Sequence, residues 1–124
     1  MEKAKLIAIA PQLVVPDVVK TAEYYQRVLG FSLLGYFLDP PVYAMLQRDG
    51  MQVHFKRSDA GKVRLNNTLS KGSCDLIIWV PQIDLFFREV KALGAEIAQE
   101  IITRSYGREF IIVDYDGHRI LVCD

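Results

Sequence analysis

His54 and Asp75 are the two side chains whose positions most suggest metal binding or proton transfer, and they lie in different halves of the chain. His54 follows the pair Asp49-Gly50 in an apolar run, and Asp75 opens a second apolar run that leads to Trp79. A histidine in contact with an aspartate is half of a catalytic triad, but no serine or cysteine is placed by a motif to act as the nucleophile. His54 could equally be a cavity-wall residue held by one hydrogen bond. The chemistry therefore depends on how the fold relates the two halves.

The halves are copies of one unit of about 65 residues. An apolar run, Val-Pro, a stretch of helical period and Leu-Gly occur at residues 15–30 and again at 80–94. An Asp-Gly pair followed by a strand-like run occurs at 49–55 and again at 116–122. Because one half alone would bury only a marginal core, we expect a single domain. Its predicted parts are modules at about 5–57 and 73–124, joined by a connector at 58–72, within one domain 1–124.

The composition indicates an ordinary globular chain, with 51% hydrophobic residues, 24% charged residues and a formal net charge of zero. No basic surplus is present to neutralise phosphates, so we expect no nucleic-acid partner. The apolar run at 6–10 is cut by Pro11 and is too short to cross a bilayer, so we expect no membrane partner. Cys74 and Cys123 are too few for a disulfide framework. We expect a cytoplasmic protein with two free thiols.

Each half has the pattern of a β-α-β-β-β module. The first helix has Asp17 as its N-cap and Gly30 as its C-terminal stop, and Pro11 is tolerable in the preceding strand at an edge or bulge. The second helix is predicted over 82–93. The predicted strands are 6–15, 31–38, 42–48, 51–57, 74–80, 95–103, 108–113 and 119–123. The helix residues expected to face the core are Val18, Ala22, Tyr25 and Leu29, then Ile83, Phe86 or Phe87, Val90 and Leu93.

Such modules each cover one face of a four-stranded sheet with a helix and leave the other face free. If the two sheets meet edge to edge, the uncovered faces form a concave trough, and small molecules bind in troughs of this kind. Trp79 shares strand parity with Asp75, so we expect it to face the trough, either as a stacking wall for a planar ligand or as a core residue. Strand register cannot be derived for Tyr36, Phe37, Tyr43 and Phe110.

Two segments resemble the signatures of a known superfamily. Residues 24–31 read YYQRVLGF, which is similar to F-Y-x-x-x-L-G-F. Residues 110–119 read FIIVDYDGHR, which is similar to F-x-x-x-D-P-D-G-(N/H), with Tyr115 in place of the proline. The order of these two segments, together with the internal repeat, makes the sequence resemble the glyoxalase / bleomycin resistance protein / dioxygenase superfamily, also called vicinal oxygen chelate proteins. The resemblance implies an α+β fold of two βαβββ modules, a cupped eight-stranded mixed sheet with helices on the outside, and a homodimer.

The enzymes of this superfamily hold a metal at the middle of the cup, on four symmetry-related strand positions. Transferred along the motifs, these positions are Ala10, His54, Asp75 and Leu121. A catalytic divalent metal usually needs three protein ligands, and two of these side chains are hydrocarbon. Gln12 and Cys123 share strand parity with these positions but would need a shifted geometry to contribute. On the motif's hairpin, we expect His118 at the surface of the turn and Arg119 directed into the cup.

We therefore expect a non-enzymatic protein without a cofactor, which sequesters an aromatic or antibiotic-like small molecule as in the bleomycin-resistance branch. The residues expected to bind the ligand are Gln12, His54, Asp75, Trp79 and Arg119. The alternative is a metal-dependent lyase, isomerase or extradiol-type dioxygenase, in which a divalent metal held by His54 and Asp75 acts as a Lewis acid. A third hypothesis is a protein interaction module whose trough is filled by its own side chains.

Overall fold

The predicted repeat is present in the order of the elements. The computed structural model describes residues 1–124. The first module consists of β1 (Gln12–Val15), α1 (Val18–Arg27), β2 (Ser32–Phe37), β3 (Tyr43–Arg48) and β4 (Met51–Arg57). A one-turn helix, α2 (Asn66–Leu69), lies in the connector. The second module consists of β5 (Leu76–Trp79), α3 (Ile83–Ala92), β6 (Glu96–Arg104), β7 (Gly107–Val113) and β8 (Arg119–Cys123). None of the helices has the length and apolar character that a membrane crossing requires.

Each module forms its own four-stranded mixed sheet. Sheet A has the strand order β1-β4-β3-β2, and sheet B has the equivalent order β5-β8-β7-β6. The β1–β4 and β5–β8 pairs are parallel, and the other pairs are antiparallel. These matching topologies confirm the α+β fold of two βαβββ modules. No strand of sheet A is hydrogen-bonded to a strand of sheet B, so the edge-to-edge junction expected between the sheets does not occur within one chain.

Local sequence signals account for the first helix end and the first hairpin. The Asp17 carboxylate accepts hydrogen bonds from the backbone N–H groups of Val19 and Lys20, both at 3.1 Å, and so caps α1. Asp49 and Gly50 form the two-residue loop between β3 and β4, with φ of 52° and 81°. Positive φ at both central residues is what a type I′ hairpin turn requires. The predicted cap and hairpin are both confirmed.

Both helices bury their predicted apolar faces with one exception. The buried residues include Val18, Ala22, Tyr25, Leu29, Ile83, Phe86 and Val90. Leu93, which was expected to point inward, is 48% exposed. Helix α3 ends at Ala92, and the φ and ψ of Leu93, −87° and 1°, take its side chain off the helical path. Leu29, two residues beyond the end of α1, is still buried at 2%, so the burial of a residue after a helix end depends on the local turn and not on the helical period.

The two helices lie between the two sheets. Helix α1 packs against β2, β3 and β4, and α3 packs against β6 and β7. A single cluster of 18 buried residues joins both modules. Tyr25 and Leu29, on the α1 side, also face Phe86, Ile112 and Ile120 of the second module across a small apolar gap. The helix-covered sheet faces therefore look toward each other, and the uncovered faces look outward on opposite sides of the chain.

Two reciprocal polar contacts, the clamp pairs, hold the modules together. The Tyr25 hydroxyl on α1 donates to the Asp114 carboxylate in the turn after β7, at 2.7 Å. On the other side, the Arg48 guanidinium at the end of β3 donates to both carboxylate oxygens of Glu89 on α3, at 2.7 and 3.2 Å. The β-turn of each module is thus bound by the helix of the other. Charge-assisted and buried hydrogen bonds of this kind fix one relative orientation of the modules.

The Asp114 turn also contains a buried histidine. His118 was expected at the surface of the turn, but it is 2% exposed. The reason is that the turn lies between α1, whose Thr21 hydroxyl donates to Asp116, and Leu65 of the connector. Burial by itself lowers the pKa of His118, but the Asp114 carboxylate, 3.4 Å from Nδ1, outweighs burial and raises the pKa above its usual value. A charged His118 therefore strengthens the turn.

The first eleven residues belong to no strand or helix. The prediction of a strand over 6–15 is thus wrong for 6–11, since pairing with β4 begins at Gln12. Pro11 has no N–H group with which to extend the pairing of β1 with β4. Its carbonyl accepts the outermost hydrogen bond between the two segments, from the backbone N–H of His54 at 3.0 Å. We call residues 1–10 the N-terminal arm. Its large apolar side chains are almost fully exposed: Leu6 at 90%, Ile7 at 93% and Ile9 at 94%.

Replacing Tyr25 by phenylalanine tests the first clamp pair. Tyr25→Phe removes a donor from the buried Asp114 carboxylate, so we expect a loss of about 1–3 kcal/mol in the free energy of unfolding. Urea denaturation measures this loss. Tyr115→Phe, in a ring that is 53% exposed, is the matched control and should change stability by less than about 0.5 kcal/mol. Equal losses in the two variants would show that the Tyr25 hydroxyl does not hold the modules.

The raised pKa of His118 makes stability depend on pH. The folded chain binds this proton more tightly than the unfolded chain, where a histidine titrates near pH 6.5. The stabilisation is therefore complete below about pH 6.5 and is lost as the pH rises through the folded pKa. We expect the difference in unfolding free energy between wild type and His118→Gln to be largest at the acid end of a urea series from about pH 5.5 to about pH 9. A difference that does not change with pH would contradict the ion pair.

Candidate functional site

The two sheet faces that no helix covers carry the residues predicted to bind a ligand. Strand register assigns them, because directly paired residues point to the same side of a sheet. Open face A is the side of sheet A opposite the buried Ala44 and Phe55, and it carries Gln12, Tyr43, Met45, Gln52 and His54. Open face B is the side of sheet B opposite the buried Ile120 and Val122, and it carries Ile77, Trp79, Ile111, Arg119 and Leu121.

The structure brings the predicted residues together in two groups and not in one. Gln12 and His54 lie on open face A, whereas Trp79 and Arg119 lie on open face B, with Asp75 just before β5. Because the helices and the shared core separate the two sheets, one chain does not place these groups across a common trough. The conditional His54–Asp75 pair is accordingly absent. Each open face is one wall of a site.

Open face A carries a continuous chain of hydrogen bonds. The Gln12 side-chain amide donates to the Tyr43 hydroxyl at 3.0 Å, and that hydroxyl lies 2.8 Å from Nδ1 of His54. Nε2 of His54 lies 2.8 Å from the amide oxygen of Gln52. Since an amide oxygen only accepts, Nε2 donates to Gln52. The imidazole is thus held at both ring nitrogens, and the free Gln12 oxygen and Gln52 amide nitrogen remain available to a ligand.

Tyr43 and Gln52 were missed as site residues. Sequence analysis left Tyr43 open, because a shift of one residue in register exchanges the two faces of a strand. The pairing of Met45 with His54 and of Tyr43 with Lys56 decides the question and directs Tyr43 to the open face. The signal that could have found Gln52 is its spacing of two residues from His54 on one strand, which puts both side chains on the same face.

Open face B is largely apolar, with two charged features: Arg119, and the Arg104–Glu109 ion pair, whose Glu109 lies in the same row as Cys123 and Trp79. Trp79 is 69% exposed and Ile77 is 51% exposed, and they lie beside Leu121 on neighbouring strands. Arg119 follows on β8, where its Nε is buried without a hydrogen-bond partner. An exposed indole is a large flat surface for stacking. This wall can therefore bind an aromatic group and present a positive charge beside it.

The Asp75 carboxylate already has two partners. Its oxygens accept hydrogen bonds from the backbone N–H groups of Asn66 in the connector and of Arg119 at the start of β8, both at 2.9 Å. It thereby ties the connector to sheet B. Asp75 borders open face B, and its role toward a ligand stays a prediction.

The residues at the four family metal positions do not fit a metal. Ala10 and Leu121 have no donor atom, both ring nitrogens of His54 are hydrogen-bonded, and both Asp75 oxygens accept backbone N–H groups. His54 and Asp75 also belong to different sheets. A divalent metal with three protein ligands would need donors that these positions lack.

A different group, Asp114, Asp116 and His118, does bring three potential ligand atoms within 4.8 Å of one another. It lies in the clamp turn and not on an open face. Both Asp114 oxygens are in use, one by the Tyr25 hydroxyl and the other by the backbone N–H groups of Asp116 and His118. These contacts account for the cluster as part of the interface between the modules.

The two cysteines are not activated for nucleophilic chemistry. Cys74 and Cys123 are both free, as predicted. Burial raises the pKa of each thiol above its usual value. Because the thiolate is the reactive form, both are poor nucleophiles near neutral pH.

Comparison with known proteins matches the chain to one family. The family model described as Glyoxalase/Bleomycin resistance protein/Dioxygenase superfamily matches residues 6–122. No curated protein matches the sequence.

Solved structures of similar fold cover nearly the whole chain. TioX from Micromonospora sp. ML1 has 25% identity and a TM-score of 0.74, with 94% of this chain and 96% of TioX covered. The bleomycin-binding protein of Streptomyces verticillus, solved with copper(II)-bleomycin, has 18% identity, a TM-score of 0.74 and 98% of both chains covered. The fosfomycin resistance protein FosX of Listeria monocytogenes, solved with Mn(II), has 17% identity, a TM-score of 0.67 and coverage of 98% and 90%. At these identities the likeness is one of fold.

Proposed function

Because this chain belongs to the Glyoxalase/Bleomycin resistance protein/Dioxygenase superfamily, we propose that it is a non-catalytic binding protein that sequesters an aromatic small molecule in a cup formed by two copies. The observation that carries the proposal is the donor set at the family metal positions. Ala10 and Leu121 supply no ligand, and the Asp75 carboxylate is occupied by backbone N–H groups. A ligand would then be held by burial, stacking and hydrogen bonds, without chelation.

A homodimer supplies the missing second wall. Open faces A and B look away from each other in one chain, so a cup requires open face A of one copy to face open face B of another. Two such cups arise in a twofold dimer, because the contact repeats by symmetry. Each would join the Gln12–Tyr43–His54–Gln52 chain of one copy to Trp79 and Arg119 of its partner. This reunites the residues that sequence analysis assigned to one site.

The N-terminal arm supports the same assembly. Leu6, Ile7 and Ile9 are each at least 90% exposed, and an apolar segment left in water carries a free-energy cost that burial against a partner removes. We propose that the arm packs on the second copy. The free thiols are compatible with a reducing compartment, so a cytoplasmic location is part of the proposal.

The alternative is a metal-dependent lyase, isomerase or dioxygenase. Its support is His54, a residue type that ligates divalent metals, at a family metal position. The similar fold of FosX, which was solved with Mn(II), shows that the architecture accepts a metal in another protein. This alternative requires His54 to give up a partner and a ligand to come from outside the four positions.

Removing the arm tests the dimer. Full-length protein should elute at twice the chain mass of 14.1 kDa in light scattering coupled to size exclusion. Deletion of residues 1–10 should shift it toward the monomer, since the arm's apolar contacts are lost. Deletion of residues 1–5, which leaves Leu6, Ile7 and Ile9 in place, is the matched control and should remain dimeric. A monomeric full-length protein would refute the assembly, and equal dimerisation of both deletions would exclude the arm from it.

Ligand titration tests the function. Planar aromatic compounds, including bleomycin, should quench the fluorescence of Trp79, the only tryptophan, in a saturable manner. By calorimetry, Trp79→Leu should weaken binding roughly tenfold, because stacking adds to burial. Tyr115→Leu removes an exposed aromatic ring outside the open faces and should bind as wild type. Binding should persist in EDTA. Elemental analysis of the purified protein should find less than one metal ion per chain. If no compound of the panel gives a saturable response, the result counts against sequestration. If the protein holds stoichiometric metal and loses it in His54→Ala, the result favours the metal-dependent enzyme.

A further inference from the structure

Arg119 is a cation on an apolar wall without an ion-pair partner. Three other arginines that lie near carboxylates are paired: Arg48 with Glu89, Arg104 with Glu109, and Arg108 with Asp84 and Asp124. Arg119 forms no ion pair within 4.0 Å, although it is partly buried, and its Nε is occluded without a hydrogen-bond partner. A charge and a donor left uncompensated in an apolar setting raise the free energy of the empty site.

The surroundings make this charge effective. Ile77, Leu121 and Ile111 form one row across open face B, next to the row of Arg119. Hydrocarbon lowers the local dielectric, so a counter-charge brought to Arg119 is attracted more strongly than it would be at a polar surface. Gln99 pairs with Ile111 at the end of the same row. Its side-chain amide nitrogen is, like Nε of Arg119, buried without a hydrogen-bond partner. Both unmet groups on this wall are donors.

The carboxylates of the chain do not supply the counter-charge. Asp75 is committed to the backbone N–H groups of Asn66 and Arg119. Glu109 accepts from the Tyr106 hydroxyl and from the Arg104 guanidinium, the latter at 2.8 Å, and these bonds lower its pKa against the opposing effect of burial. The Arg119 guanidinium is therefore the group on this wall that an anionic ligand would contact. Asp75 keeps its own negative charge nearby, and a phosphate monoester carries nearly two charges at neutral pH, so a monoanion is repelled less and fits better.

The position of Trp79 indicates the shape of the remaining part of the ligand. Trp79 pairs with Cys123, which is four residues after Arg119 on β8. Since alternate residues of a strand share a face, Trp79 and Arg119 lie on the same face, two side-chain rows apart. Four residues of strand span about 13 Å, so a ligand that contacts both side chains must be elongated, such as one with a fused ring system. A carboxylate also suits the guanidinium fork, which binds two oxygens at once.

We infer that the ligand of this cup is an aromatic monocarboxylate, with its ring system on Trp79 and its carboxylate on Arg119. The inference rests on the proposed function, since it names the chemical class bound at the same site. Arg119 is then the residue that determines specificity for charge, and Trp79 contributes affinity for any planar ring.

A pair of probes with the same ring system and shape, one charged and one neutral, tests the inference. The probes are 2-naphthoate and its neutral isostere 2-naphthamide, titrated by calorimetry into the full chain. Wild type should bind the acid at least about tenfold more tightly than the amide, as expected for a charge-assisted hydrogen bond. The acid's affinity should fall with added salt, and the amide's should not.

Arg119→Met should abolish the preference for the acid, and an unchanged urea denaturation midpoint would show that the variant is folded. Arg88→Met is the matched control, because it removes the same charge from an exposed residue of α3 that forms no ion pair, and it should keep the preference. Equal affinities in wild type, or a preference that survives Arg119→Met, would overturn the inference while leaving sequestration intact. If neither probe nor any other aromatic compound binds, the proposed function fails and the inference fails with it.

Discussion

The hydrogen bond from Tyr25 to Asp114 is the constraint on which the arrangement of this protein depends. It joins the helix of the first module to the turn of the second, and the Arg48–Glu89 pair makes the reciprocal connection. A buried carboxylate is stable only where donors surround it, and Asp114 accepts from the Tyr25 hydroxyl and from two backbone N–H groups, with His118 Nδ1 at 3.4 Å as an ion-pair partner. These partners come from both modules, so the turn is satisfied only when the helices lie between the sheets.

That orientation decides where a ligand can bind. With the helices inside, the two faces without helices are outward walls, one bearing the Gln12–Tyr43–His54–Gln52 hydrogen-bond chain and the other an indole and a guanidinium. Neither wall alone encloses a small molecule. The proposed dimer follows from this geometry together with the exposed apolar arm, since both the open faces and Leu6, Ile7 and Ile9 lack a partner within the chain.

The two walls differ in a way that suits recognition better than chelation. On open face A, Tyr43 and Gln52 engage both ring nitrogens of His54 in hydrogen bonds. On open face B, Asp75 spends its oxygens on the backbone, which leaves Arg119 as the charge without a partner. The residues that a metal would need are thus used for structure, and the group left free is a cation.

The sequence by itself determined the repeat, the βαβββ order, the Asp17 cap, the Asp49-Gly50 hairpin and the family, because these rest on periodicity and short-range backbone rules. It also identified Ala10 and Leu121 as positions without donors, since that depends on residue type alone. The tertiary structure decided what depends on partners distant in sequence. It buried His118 against Asp114 and α1, turned Tyr43 toward His54 through strand register, and separated the arm from β1 at Pro11. It also sent Gln12 and His54 to one side and Trp79 and Arg119 to the other. No local pattern encodes that separation, because it follows from packing two helices into one core.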